Sequence, residues 1–176
     1  MGDIMKHKFF GLIFLLTLLI ISASSFNSEA NKDKDAIQEM QIKGIGFDQR
    51  IQTPVVLLTD KEQTKVLPIW IGLCEARSIE LGLSEKVAPR PLTYDLIAAI
   101  IRTMNAKVER IVIVDLRDEV FYAQVEVSVD GKVSKIDARP SDAIALASRM
   151  NSPIFVRQTV LDKAALIESG KEKQEL

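Results

Sequence analysis

The sequence predicts an α+β fold: a mainly antiparallel sheet of hairpins with helices packed on it. Three observations carry that expectation. Phe121, Ala123, Val125, Val127 and Val129 alternate with polar residues, the period-two pattern of a strand with one buried face. Asp130-Gly131 follows directly, a strong short-range signal for a two-residue hairpin turn. Leu96, Ile97, Ile100, Ile101 and Met104 instead recur at helical spacing. Hairpins grouped between helices, rather than regular strand and helix alternation, distinguish α+β from a doubly wound parallel sheet.

The elements follow in order. Met40 to Phe47 alternates weakly and contains Gly44 and Gly46, as expected of a strand with a bend or bulge. Val55-Val56-Leu57-Leu58 is a continuous apolar run behind Pro54, the signature of a strand covered on both faces. Asp60 to Lys65 is a polar turn into Val66 to Ile71, where Leu67, Ile69 and Ile71 share a face. Leu73, Ala76, Ile79 and Leu83 fall at helical spacing, with Gly82 and Pro89 marking the end of that helix. The stripe from Leu96 to Met104 makes the next helix and predicts a buried face, and Asn105 is a left-handed stop. Val108 and Ile111 to Val114 suggest a central strand, and Lys132 to Ala138 pairs back after the Asp-Gly turn. A helix from Ser141 to about Met150, a short strand at Pro153 to Val156 and a weak helix near Leu161 to Ile167 complete the domain.

The N-terminus reads differently. A cationic stretch ending Lys6-His7-Lys8 precedes the uncharged run Phe9 to Ile21 and the small residues Ser22 to Ser25, which is the order of a secretory signal. Cleavage after Ser24, Ser25 or Ala30 fits; so does an uncleaved membrane anchor through residues 9–26, since the extended apolar run approaches the roughly 20 residues that span a bilayer. Residues 1–26 are therefore a signal peptide or anchor, 27–39 a polar linker, 40–168 the folded domain and 169–176 a charged tail. The domain is expected outside the cytoplasm: secreted, periplasmic or tethered to the outer face of the cytoplasmic membrane. The remaining chain of about 140 residues suffices for one core.

Composition narrows the chemistry. With 23 Lys and Arg against 24 Asp and Glu, the net charge is −1, which gives no global signal for nonspecific phosphate binding. Cys74 is the only cysteine, so no internal disulfide or cysteine-built zinc site forms, and its apolar neighbours predict a buried, inert thiol. No phosphate loop, dinucleotide fingerprint, zinc-protease or serine-hydrolase motif is present.

Two segments echo each other. Arg90-Pro91-Leu92-Thr93-Tyr94-Asp95-Leu96-Ile97-Ala98 and Arg139-Pro140-Ser141-Asp142-Ala143-Ile144-Ala145 both read as helix starts, with a proline, a hydroxyl residue able to cap and an early acid facing the positive end of the helix dipole. The echo suggests an internal pseudo-repeat of hairpin then helix. Together with Leu67-Pro68-Ile69-Trp70-Ile71-Gly72 followed by Glu75-Ala76, these segments closely resemble the bifunctional nuclease domain family from about Met40 to Leu166. The run from Arg139 to Ala147 is the most specific part of that resemblance. Members of that family usually read Arg-Pro-Leu-Thr-His-Asp-Leu, so this chain departs from the pattern at Tyr94, and its only histidine is His7.

The resemblance implies a metal-dependent nuclease that hydrolyses phosphodiester bonds in DNA and RNA with little sequence preference. It also implies nucleic acid as partner, and a homo-oligomer is expected. With no histidine in the domain, carboxylates holding Mg²⁺ or Mn²⁺ are the chemically sensible route, because hard cations take oxygen ligands. Glu75, Asp95, Asp137 and Asp142 are the candidate metal ligands, Glu75, Asp95, Asp142 and Tyr94 the candidate catalytic residues, and Arg90 and Arg139 the candidate phosphate grips. Structural roles stand beside these: early-turn acids suit helix starts, the arginines could pair with them, and Trp70 reads as core more readily than as a base-stacking platform. A noncatalytic exported binding or assembly module on the same fold is the alternative.

Overall fold

The structure, a computed structural model, describes residues 36–84 and 88–172, and the side chains up to residue 166. The signal or anchor at 1–26, most of the linker and the end of the charged tail lie outside the described residues. Among the described residues no helix is long and apolar enough to cross a membrane.

Seven strands form one sheet in the order β3-β2-β1-β7-β4-β5-β6. They are β1 (Ile37–Asp48), β2 (Thr53–Thr59), β3 (Val66–Trp70), β4 (Lys107–Arg117), β5 (Val120–Val129), β6 (Lys132–Ala138) and β7 (Ile154–Arg157). The helices are α1 (Leu73–Leu83), α2 (Thr93–Thr103), α3 (Pro140–Met150) and α4 (Gln158–Glu172). Every neighbouring pair is antiparallel except β4 with β7, so the α+β class and the mainly antiparallel sheet hold. Two three-stranded meanders, β1-β2-β3 and β4-β5-β6, flank β7.

Local chemistry explains the strand ends. Asp130 and Gly131 both have positive φ, 49° and 77°, which is the turn geometry that matches strand twist and that glycine adopts freely. The irregularity expected in the first strand is a register shift between Ile42 and Gly44. β1 pairs with β2 from Gln41 to Asp48, on both sides of that bulge, and with β7 through Ile37 to Met40. Residues 37–39 thus belong to the sheet rather than to the linker. In β2 Pro54, Val56 and Leu58 are buried while Val55 and Leu57 between them are only half-buried, so one face meets the core and the other is half covered until Thr59, which is buried as well.

One sheet face carries the core. Ile111, Ile113, Ala123, Val125, Ile154 and Val156 stand in register across β4, β5 and β7, continued by Val56, Leu58, Leu67 and Ile69. Helix α3 lies centrally against it. Ala143, Ile144, Ala145, Leu146 and Ala147 are all buried, as expected for a helix covered nearly all round, and α1 and α2 pack on its flanks.

Three expectations about exposure fail here, each for lack of a covering neighbour, and a fourth concerns Gly82. In α2 the stripe splits: Ile97 and Ile101 are half-buried against the core, whereas Leu96, Ile100 and Met104 are 56%, 49% and 63% exposed, and Ala98 is the fully buried residue. In α1 the buried side is Ala76, Ser78, Ile79 and Leu81, while Leu73 and Leu83 point to solvent. Cys74, on the same outer side, is exposed rather than buried. Gly82 does not end α1 but sits inside it, where a Cβ would lie 2.8 Å from Ser148 Cβ. Its missing side chain permits the close approach of α1 to α3.

Candidate functional site

Three helices carry an acid at the third position of their first turn: Glu75 in α1, Asp95 in α2 and Asp142 in α3. That position faces the positive end of the helix dipole. The predicted hydroxyl caps are not caps: Thr93 and Ser141 fall inside the helices, whose N-cap residues are Leu92 and Arg139. In α2 the start is held instead by Asp95, whose Oδ2 accepts the Leu92 N–H at 2.8 Å.

The three acids then diverge. Arg139 brings two of them together, donating from Nε to Asp142 Oδ2 at 2.7 Å, and from Nη2 to Asp142 Oδ1 and to Glu75 Oε1, both at 2.8 Å. Tyr94 completes the chain by donating its hydroxyl to Asp142 Oδ1. The first turns of α1, α2 and α3 thus meet in one line of residues, Glu75, Arg139, Asp142 and Tyr94. Asp95 lies outside it, facing Arg149 Nε at 3.1 Å. Arg149 is largely buried and also reaches Ser78, so this second pair ties α2 to α3 and α1.

The expected pairing of Arg90 with Asp95 does not form. Arg139 precedes Asp142 by three residues, one helical turn, whereas Arg90 precedes Asp95 by five because Leu92-Thr93 intervenes. Arg90 is exposed and makes no ion pair among the described residues. Asp137, on the exposed strand β6, stands apart from the other acids in the sheet, opposite Gln124.

Electrostatics follow this geometry. Burial, then the hydrogen bond to Asp142, pushes the Tyr94 hydroxyl well above its ordinary pKa, so it keeps its proton at neutral pH. Burial would raise Asp142, but the bonds from Arg139 and Tyr94 outweigh it and hold the carboxyl below its ordinary value. Asp142, followed by Glu75, raises Arg139 further above its already high value.

Of the four residues in the line, Arg139 lies in the wall of a cavity of about 650 Å³, which Glu75, Asp142 and Tyr94 do not line. Gly72 and Arg139, the N-cap residues of α1 and α3, lie in its wall, together with Ser141 and an apolar surface from Pro68, Ile69, Trp70, Leu116, Val120 and Phe121. Trp70 is therefore not core: it is 44% exposed, with its indole N–H donated to Asp48 Oδ2 at 3.2 Å. Trp70 was legible as a candidate because it belongs to the segment before Gly72; Phe121 and Asp48 carried no signal beyond strand pattern.

The fit to a metal can be read from the donors. Among the described residues no group of three or more His, Cys, Asp or Glu side chains is arranged to hold an ion. Glu75 and Asp142 share Arg139, whose guanidinium takes both oxygens of Asp142 and one of Glu75, so a hard cation would have to displace those bonds to be held there.

Comparison with known proteins places these residues within one family match. The model of the bifunctional nuclease domain matches residues 56–169, which include every residue of the line. Two uncharacterized proteins of Mycobacterium tuberculosis, from two strains, are each 37% identical over 137 residues, 78% of this chain and 82% of theirs. Bifunctional nuclease 1 of Arabidopsis thaliana is 28% identical over 124 residues, 67% of this chain and 38% of that protein.

Proposed function

The chain belongs to the bifunctional nuclease domain family, and from that premise we propose that it is a metal-dependent nuclease hydrolysing phosphodiester bonds in DNA and RNA with little sequence preference. The observation that carries this reading is Arg139, held between Glu75 and Asp142 and set in the cavity wall beside Gly72 and Ser141. Helix N-termini and a planar guanidinium are both built to receive phosphate.

Phosphodiester hydrolysis needs a positioned water, neutralised phosphoryl oxygens and a stabilised leaving oxygen. In this reading Arg139, which is 68% exposed and has Nη1 to spare, grips a phosphoryl oxygen. Glu75, with one oxygen committed to Arg139, takes the proton from water. Asp142 is fixed by Arg139 and Tyr94 and orients the guanidinium. Tyr94, protonated at neutral pH, positions Asp142 and does not act as base. For Glu75 and Asp142 to hold Mg²⁺ or Mn²⁺, the ion would have to take oxygens now bonded to Arg139; it would then supply charge neutralisation at the phosphoryl oxygens. Asp95 and Asp137 take no part, and Arg90 offers at most a peripheral phosphate contact.

Incubation of the purified protein with single-stranded DNA, plasmid DNA and RNA, in Mg²⁺ or Mn²⁺ and then in chelator, tests the proposal. Metal-dependent cleavage that drops tenfold or more in Arg139→Ala is the expected result. One observation favours the second reading, a noncatalytic exported binding or assembly module: Tyr94 stands where the family usually has histidine, and its hydroxyl is engaged. A folded protein that binds nucleic acid without cutting it would establish that module. Export and self-association belong to the same proposal; fractionation of a C-terminally tagged chain and sedimentation velocity measure them.

A further inference from the structure

We propose that the cavity beside Arg139 receives a single unpaired nucleobase, so that single strands and loops, rather than intact duplex, are what the site engages. The inference rests on the nuclease reading, since it takes Arg139 as the phosphate contact. The cavity, about 650 Å³, falls within the size range of sites for small organic ligands. Its wall is mostly apolar and carries two aromatic rings, Trp70 and Phe121, and bases stack on aromatic side chains whatever their sequence. Trp70 is half-exposed, yet fixed through its indole N–H by Asp48. A ring held in place loses little freedom when a base settles against it.

Charge argues against a duplex. Duplex binding depends on many phosphate contacts from lysine and arginine. Here Arg50 and Arg139 in the wall are matched by Asp48 and Glu119, and the chain as a whole carries net charge −1. One phosphate at Arg139 and one base in the apolar cavity use everything the wall provides. A base paired within a helix cannot enter it without leaving its stack.

Trp70 is the only tryptophan in the chain, so its fluorescence reports occupancy. The full chain is titrated, in chelator, with a single-stranded oligonucleotide, the same sequence as a duplex, and an abasic strand of equal length. Quenching by the single strand at concentrations at least tenfold below those needed with duplex or abasic strand is expected. In anisotropy measurements with the labelled strand, Trp70→Phe should bind within about threefold of wild type and Trp70→Ala at least fivefold more weakly, as loss of a stacking partner implies. Equal affinity for duplex and single strand, or undiminished binding of the abasic strand, overturns the proposal. A parallel cleavage assay separates the two ideas. Selective single-strand binding without cleavage by any metal defeats the nuclease reading alone, whereas cleavage of duplex and single strand at equal rates, unchanged in Trp70→Ala, defeats the base cavity alone.

Discussion

Tyr94 donates its hydroxyl to Oδ1 of Asp142 across 2.5 Å, joining the first turns of α2 and α3 by a bond between residues 48 apart in sequence. The bond has a pH signature at each end. Burial and then Asp142 raise the folded pKa of Tyr94, so the stability it adds is complete below about pH 10, the ordinary tyrosine value, and is lost as pH climbs further. Asp142 is lowered, so its contribution is present above about pH 4 and disappears as pH falls below that. Urea unfolding across pH should therefore be flatter at the alkaline end for Tyr94→Phe, and flatter at the acid end for Asp142→Asn. Curves parallel to wild type would mean that the bond does not persist in solution.

Asp95→Asn and Asp142→Asn should part company. Asparagine starts a helix about as well as aspartate, but Asp95→Asn weakens the pair with largely buried Arg149. A loss of about 1 to 2 kcal/mol is expected for a partly screened pair, with cleavage following the folded fraction. Asp142→Asn should also lower the melting temperature, since it forfeits the contribution of its lowered pKa, but should reduce cleavage by an order of magnitude beyond the loss of folded fraction. The comparison needs only thermal melts and a plasmid assay.

Tyr94→His restores the residue the family usually has. An imidazole titrates near neutrality, whereas the tyrosine hydroxyl stays protonated there. Cleavage should rise, with a new pH dependence between roughly pH 6 and 7. A folded variant with no gain and an unchanged profile would show that position 94 does not limit the chemistry.

Opposite faces of α2 predict opposite outcomes. Ile100→Asp, at a half-exposed position, should cost less than about 1 kcal/mol in a monomer, the scale of a surface change. Ala98→Asp, at 1% exposure, buries an unpaired charge and should cost roughly 3 kcal/mol or more. Denaturant titration of both variants decides whether the outward stripe is as open in solution as in the structure.

Gly82→Ala puts a methyl 2.2 Å from Ser148 Oγ and 2.8 Å from its Cβ. The Cβ is not a flexible end, so α1 and α3 must separate, at about 1 to 3 kcal/mol for an overpacked contact. Ser148→Gly in the same chain should recover most of that loss in a thermal melt. If the double variant is no better than the single, the close approach is not what holds the helices together.

Legibility in the sequence followed the range of the interaction. Asp130-Gly131 and Asn105 act through their own backbone, and all three have the positive φ their chemistry favours. The strict alternation of β5 foretold its face, with Ala123, Val125 and Val127 buried. Periodicity in α2 told which residues share a face but not whether another element covers it, and so Leu96, Ile100 and Met104 were misplaced. The site behaved likewise. An acid at each helix start was readable, and Arg139 with Asp142 is a one-turn pair. The bond from Arg139 to Glu75, 64 residues away, depends on how α1 docks against α3, which no local pattern encodes. Trp70 looked like core because β3 is an apolar strand, yet it lies at the strand's end beside the cavity.

The position of β7 in the sheet has a consequence for how the chain acquires its shape. The shortest strand is the last of the seven in chain order, yet it alone joins the two meanders: Met40 pairs with Ile154, and Ile154 with Ile111. Contacts so distant in sequence form slowly, because a long loop must close before they form. Each meander can assemble from neighbouring residues, but the continuous sheet waits for residues 154–157 to emerge. Until then the lower half of β1 is an unpaired edge, open to pairing with another chain, so the interval between the two meanders and the seventh strand is when this protein is most vulnerable to aggregation.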